Sequence, residues 1–152
     1  MNGFKENVIE ALEIPSNELH PLVFISGNVS IGEGSYIGAF SEVNGNKSKV
    51  YIGKDCDIAS FVSINCADSH KLTLGLLDKI ERKEIIIDNN VFIGSHSFIG
   101  GYVNVGHHSV IAAGTILIDK GIVPPYSLIY GNPAQVKEEY YKKRLEDNDT
   151  SQ

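Results

Sequence analysis

Residues 87 to 134 read IDNNVF, IGSHSF, IGGYVN, VGHHSV, IAAGTI, LIDKGI, VPPYSL, IYGNPA when cut every six positions. Each hexad opens on an aliphatic residue: Ile87, Ile93, Ile99, Val105, Ile111, Leu117, Val123 and Ile129. Ile, Val and Leu make up about a quarter of the chain, so eight such openers in a row arise by chance on the order of once in 10^4 to 10^5. A period of six fits neither an amphipathic helix, whose stripe recurs every 3.6 residues, nor a strand alternating every two. It is the period of a parallel β-helix, in which three hexads close one triangular turn and turns stack at roughly 4.8 Å.

The position four residues after each opener carries Val91, Ser97, Val103, Ser109, Thr115, Gly121, Ser127 and Pro133. These compact side chains suit a second inward position near a corner of a narrow prism. Gly94, Gly100, Gly106 and Ala112, directly after an opener, suit a tight bend in the chain. All of this is required of any such coil, so the repeat by itself indicates architecture and no chemistry.

Earlier in the chain the openers are Ile25, Ile31, Ile37 and Val43 and then, after three extra residues in GNKSKVY (45 to 51), Ile52, Ile58 and Ile64. Gly45 to Lys49 are expected to form a bulge or turn at a corner. Fifteen hexads give about five turns, or roughly 24 Å of prism. Between Ile64 and Ile87 the period vanishes, and residues 65 to 86 (NCADSHKLTLGLLDKIERKEII) read as an excursion from the coil. A long loop in a compact repeat usually serves a site or a partner. Leu72, Leu74, Leu76 and Leu77 point to packing against a neighbouring subunit.

Residues 2 to 14 place Phe4, Val8, Ile9 and Leu12 on one helical face that ends at Pro15, which suggests a helix capping the coil. His20 follows as a surface histidine in a connector. Residues 133 to 145 (PAQVKEEYYKKRL) read as a closing helix with Val136 and Tyr140 inward, followed by a frayed tail. The expected organisation is one all-β domain over 1 to 152, with a coil from 23 to 132 and short helices at its ends.

A net charge of -6 argues against nonspecific nucleic-acid binding, which needs clustered Lys and Arg. No apolar run approaches the ~20 residues of a membrane span, so no membrane insertion is expected. Cys56 and Cys66 form neither a disulfide framework nor a metal cluster. Cys56 reads as a small buried filler. With no charged-then-apolar leader, a cytoplasmic location is the expectation.

The segments NNVFIGSHSFIGG (89 to 101), VNVGHHSVIAAGTIL (103 to 117) and VPPYSLIYGNPAQV (123 to 136) together resemble the hexapeptide-repeat acyltransferases, in particular the galactoside, maltose and xenobiotic acetyltransferase branch. The resemblance covers about residues 23 to 138. It implies a left-handed parallel β-helix, a homotrimer, and acetyl transfer from acetyl-CoA to a hydroxyl or amine in a cleft between subunits. The sequence lacks the N-terminal extension of the maltose and galactoside enzymes, so their substrates do not carry over.

By the same resemblance His70, where the chain leaves the coil, matches the catalytic base. A neutral alcohol needs such a base to attack a thioester, and imidazole suits the task near pH 7. Asn65 and Asp68 are candidates to orient it or to bind the acceptor. Gly94, Ser95, Ala113 and Gly114 match positions lining the pantetheine arm of CoA, with the Ser95 N–H as an oxyanion donor. Lys120 and Lys137 are the candidate cations for CoA phosphates, although ILIDKGIVPP places Lys120 two residues beyond the usual spacing. Cys66 is foreign to the family's chemistry as a nucleophile.

Related γ-carbonic anhydrases hold a metal with histidines five residues apart, a spacing that His96, His107 and His108 do not have, so no metal is expected. His96 reads as structural or cleft-lining, and His107 with His108 as an exposed corner. The leading expectation is an O-acetyltransferase acting on a sugar or surface-polysaccharide precursor. An N-acetyltransferase of a nucleotide-linked amino sugar and a noncatalytic or metal-binding β-helix remain as alternatives.

Overall fold

The computed structural model describes residues 2–13, 19 and 22–149. The predicted parallel β-helix is present, and its fifteen openers stack in parallel register on three faces. The first face stacks Ile25, Val43, Ile64, Ile99 and Leu117. The second stacks Ile31, Ile52, Ile87, Val105 and Val123. The third stacks Ile37, Ile58, Ile93, Ile111 and Ile129.

From Ile37 onward every opener is buried, at 2% exposure or less. Each aliphatic side chain so enclosed contributes about 1.5–3 kcal/mol. Ile25 and Ile31, on the first turn, are only partly buried. At the second inward position Ser41, Ser97, Ser109, Thr115 and Ser127 are buried as well. Their hydroxyls do not go unpaired: Ser41 Oγ donates to the Ala59 carbonyl (3.0 Å), Ser97 Oγ to Gly94 (2.8 Å) and Ser127 Oγ to Pro124 (2.7 Å). A small hydroxyl thus fills the corner and closes a bond that an alanine would leave open.

The corners are built on left-handed backbone. Between the third and first faces that conformation falls on Phe40, Phe61, His96 and Gly114, at φ 63°, 60°, 61° and 71°. The Phe40 and Phe61 rings stack at 5.2 Å, and Phe61 and His96 at 5.0 Å. An aromatic ladder therefore runs up this edge and stops at Gly114. Between the second and third faces His107, His108 and Tyr126 form a ring cluster.

The three extra residues near Gly45 are absorbed without breaking the strand Glu42–Ile52. Its register against Phe24–Ile31 jumps between the pairs Gly27–Gly45 and Val29–Val50, which marks a bulge. The excursion is a hairpin: Ala67–Asp68 pairs antiparallel with Glu81–Arg82, and a one-turn helix α2 (His70–Thr73) sits at its start.

The ends depart from expectation in detail. The N-terminal helix α1 spans Asn2–Ala11; Pro15 and His20 lie outside the described residues. At the other end, the closing helix expected over 133 to 145 is instead an antiparallel strand Gln135–Lys137, followed by helix α3 over Lys142–Asp149. Gly131, at φ 91°, reverses the chain so that Val136 lies beside Ile129 at the open end of the third face. A strand lays that one apolar residue on the last rung and leaves Gln135 and Lys137 outward. The reversal also moves Pro133 outside and buries Ala134 in its place. The stretch expected to fray is helical through Asp149. No described helix is long and apolar enough to cross a membrane.

Candidate active site

The chain leaves the first face at Asn65, and the hairpin folds beside the corner between the first and second faces. A cleft of about 580 Å³ lies there, lined by Asn65, Asp68, His70, Thr73, Leu74, Phe98, Gly100, Gly101 and Ile118 among others. Its floor is the first face of the coil, since Phe98 and Ile118 flank the inward Ile99 and Leu117 and so point outward. Its wall is the hairpin.

His70 opens α2 and is exposed. Its backbone N–H donates to Asp68 Oδ1 (3.0 Å), and its ring Nδ1 meets the same oxygen at 2.5 Å. With Nδ1 as the donor, Nε2 carries the lone pair, the tautomer required of a base. The His70 amide and ring hold the Asp68 carboxyl below the usual carboxylate range. Asp68 is therefore a carboxylate at neutral pH, fixed on its histidine.

Asn65 lines the cleft without touching His70. Its Oδ1 accepts from the Ala67 N–H (2.9 Å) and from Asn44 Nδ2 (3.1 Å), so it shapes the exit of the chain from the coil. Cys66 is buried, and burial pushes its thiol up despite the nearby Arg82. A neutral, enclosed thiol is a poor nucleophile.

Gly94, Ser95, Ala113 and Gly114 come together at the other edge of the first face. The Gly114 N–H donates to the Ser95 carbonyl (2.9 Å), and a Cβ on Gly94 would run into the Ala113 amide. Nothing lies within 4 Å of where a Gly114 side chain would begin. This corner is thus a smooth, open edge directly above the aromatic ladder. None of its four residues lines the His70 cleft, so a single chain presents the two sets on opposite edges of one face.

Lys120 Nζ donates to the Ala134 carbonyl (2.9 Å), which ties it to the C-terminal reversal. Lys137 lies over the rings of Tyr130 (5.2 Å) and Tyr140 (5.8 Å). Both are exposed near the last rung. His96 belongs to the aromatic ladder. His107 and His108 face each other through their Nδ1 atoms at 2.9 Å and are half-buried rather than fully exposed, because Tyr126 packs on both. Among the described residues no three His, Cys, Asp or Glu side chains converge as a metal site.

The sequence reading missed the apolar part of the cleft and one ion pair at its rim. Phe98 and Ile118 flank openers, so strand alternation alone marks them as outward. The Lys83–Asp119 pair (2.8 Å) joins residues 36 apart and has no local signal.

No family model matches the chain. It is 29% identical over 121 residues to a 2,3,4,5-tetrahydropyridine-2,6-dicarboxylate N-succinyltransferase of Xylella fastidiosa (strain 9a5c), covering 71% of this chain and 39% of that protein. Among solved structures it matches galactoside acetyltransferase in complex with coenzyme A, with a TM-score of 0.70, 29% identity and coverage of 85% of this chain and 64% of the other. It also matches the polySia-specific acetyltransferase NeuO, with a TM-score of 0.62, 33% identity and coverage of 77% and 61%. The chain spans about two fifths of the length of that succinyltransferase and somewhat less than two thirds of the two acetyltransferases. In sequence and in fold, the chain is a hexapeptide-repeat β-helix similar to the acyltransferases built on that coil.

Proposed function

We propose that this protein transfers an acetyl group from acetyl-CoA to a hydroxyl of a sugar or polysaccharide precursor, with His70 as the general base. The observation that carries this reading is the Asp68–His70 pair at the mouth of a cleft floored by the coil. Nε2 of His70 takes the acceptor proton as the hydroxyl oxygen attacks the thioester carbon. The Ser95 N–H receives the negative charge on the carbonyl oxygen, and the sulfur leaves as the acetyl ester forms. Asp68 keeps Nδ1 protonated and stabilises the imidazolium.

The pantetheine arm lies along Gly94, Ser95, Ala113 and Gly114, where the absence of side-chain bulk permits close approach. Lys120 and Lys137 meet the CoA phosphates from the last rung. The protein assembles as a homotrimer, in which the small-residue corner of one subunit faces the His70 cleft of the next. Exposed Leu74 and Leu76, at 69% and 68%, support that assembly, because a lone hairpin gains nothing from presenting them to water.

Similarity to an N-succinyltransferase favours a second reading in which the acceptor is an amine. Thiol release from acetyl-CoA across a panel of hydroxyl and amino sugars tests both. Turnover with a hydroxyl sugar is expected; turnover with amino sugars alone selects the second reading, and no turnover on any acceptor rejects the first two together.

A further inference from the structure

We propose that Lys83 and Asp119 form a positioning pair that fixes the His70-bearing hairpin over the coil and balances the charge around His70. The inference rests on the functional reading above only for its effect on rate. Two consecutive basic residues, Arg82 at the end of the returning strand and Lys83 just after it, tie the hairpin to the coil on opposite sides. Arg82 donates to the Asn46 carbonyl in the bulge below (2.7 Å), and Lys83 Nζ reaches upward to Asp119 Oδ1 (2.8 Å). The Lys83 N–H also donates to the Cys66 carbonyl (2.9 Å), which locks the two legs of the hairpin together.

Asp119 is itself held rigidly. Its backbone is left-handed at φ 50°, and its Oδ1 also accepts the Tyr102 N–H (2.9 Å). Its carboxylate lies against Gly101, which lines the His70 cleft, and its neighbour Ile118 lines the cleft as well. The bridge therefore spans the rim from hairpin to floor. Among the described residues only Asp68 is seen to hold the His70 ring, so the height of Nε2 above the floor follows the hairpin.

Among the described residues the charges nearby are Asp68 on the exit strand, Arg82 opposite Ala67 on the returning strand, Lys71 on α2, Glu81, which takes the Lys71 ammonium at 2.8 Å, and the Lys83–Asp119 pair. The Lys83 ammonium and the Tyr102 N–H hold the Asp119 carboxyl below the usual carboxylate range, with the Asp68 charge working against them. Lys83 thus cancels a second carboxylate that would otherwise add to Asp68.

This arrangement predicts a sign pattern that loss of packing alone would not produce. Lys83→Met exposes the Asp119 charge and should raise the midpoint at which the His70 ring titrates. Asp119→Asn, with a residue that tolerates left-handed backbone, exposes the Lys83 charge and should lower it. Both shifts should shrink as salt is added. The double variant should return the midpoint to the wild-type value, and Lys83→Arg should leave it unchanged.

The experiment is an NMR titration of the full chain, with the His70 ring signal assigned by its loss in His70→Gln, alongside steady-state kinetics. The expected result is opposite midpoint shifts, with kcat falling about tenfold in all but Lys83→Arg and the KM for acetyl-CoA within about twofold. Equal shifts, or none, would overturn the proposal. Opposite shifts in the two variants, with no acetyl transfer by the wild-type protein, would reject the functional reading while confirming the coupling.

Discussion

Asp68 and His70 are two residues apart, and one carboxylate oxygen engages both the backbone N–H and the ring nitrogen of the histidine. The short spacing makes the pair local: it is set by the exit from the coil and does not wait on distant packing. Asp68→Asn replaces the anion with an amide that can still accept from Nδ1 but no longer stabilises the imidazolium. A fall in kcat of about tenfold is expected, together with an acid limb moved to lower pH by about half a unit to one unit. In stability the sign is separate. The folded-state carboxyl lies below its ordinary value, so its contribution is present above the usual carboxylate range and is lost as pH falls through the lowered value. Steady-state pH profiles of the two proteins check the first claim, and an unmoved acid limb would count against it.

Gly114 distinguishes a cofactor edge from mere coil geometry. The preceding rungs carry Phe40, Phe61 and His96 at the same left-handed corner, so the backbone accepts an aromatic there. Gly114→Phe should fold, at a cost of about 1–2 kcal/mol in thermal or urea unfolding. Its ring would extend the ladder over the open edge, and the KM for acetyl-CoA should rise at least about tenfold. An unchanged KM would remove this corner from the cofactor path.

Lys120 is tied to a backbone carbonyl and remains exposed, a cation held in place rather than buried. On a chain of net charge -6, a polyanionic co-substrate needs such fixed local charge. Lys120→Ala should raise the KM for acetyl-CoA about three- to tenfold and flatten its dependence on salt. If KM holds while the same change at Lys137 raises it, the phosphates sit on the other lysine.

The hairpin leucines predict assembly. Leu74→Asp with Leu76→Asp changes two of the most exposed apolar side chains and should leave the coil folded, since neither belongs to the core. Light scattering at micromolar concentration is expected to show a trimer for the wild type and smaller species for the variant. A monomeric wild type would contradict the intersubunit site.

The coil was legible because its geometry repeats: an opener every six residues fixes three faces, and even the three extra residues before Ile52 appear as a bulge. The C-terminal end was not, because Val136 and Tyr140 satisfy a helical spacing while the chain reverses at Gly131 to cover the last rung. In the site, His70 entered through the family resemblance, and Asp68 and Asn65 through their closeness to it in sequence. Asp68 meets the His70 ring, whereas the Asn65 amide turns to Asn44 and Ala67. Lys83 and Asp119 were invisible, because 36 residues separate them and only the stacking of rungs brings them together.

The central claim is that His70 removes the acceptor proton. A sugar hydroxyl is almost wholly protonated at neutral pH, so base assistance should be worth about 10²- to 10⁴-fold, or roughly 3–5 kcal/mol of barrier. The direct measurement is kcat for His70→Ala on a hydroxyl acceptor, made on protein shown by circular dichroism and light scattering to keep the fold and assembly of the wild type. The account predicts a loss of at least about a hundredfold, with acetyl-CoA affinity nearly intact and the acid limb of the pH profile abolished. An intact variant that acetylates the same hydroxyl at the wild-type rate would contradict it.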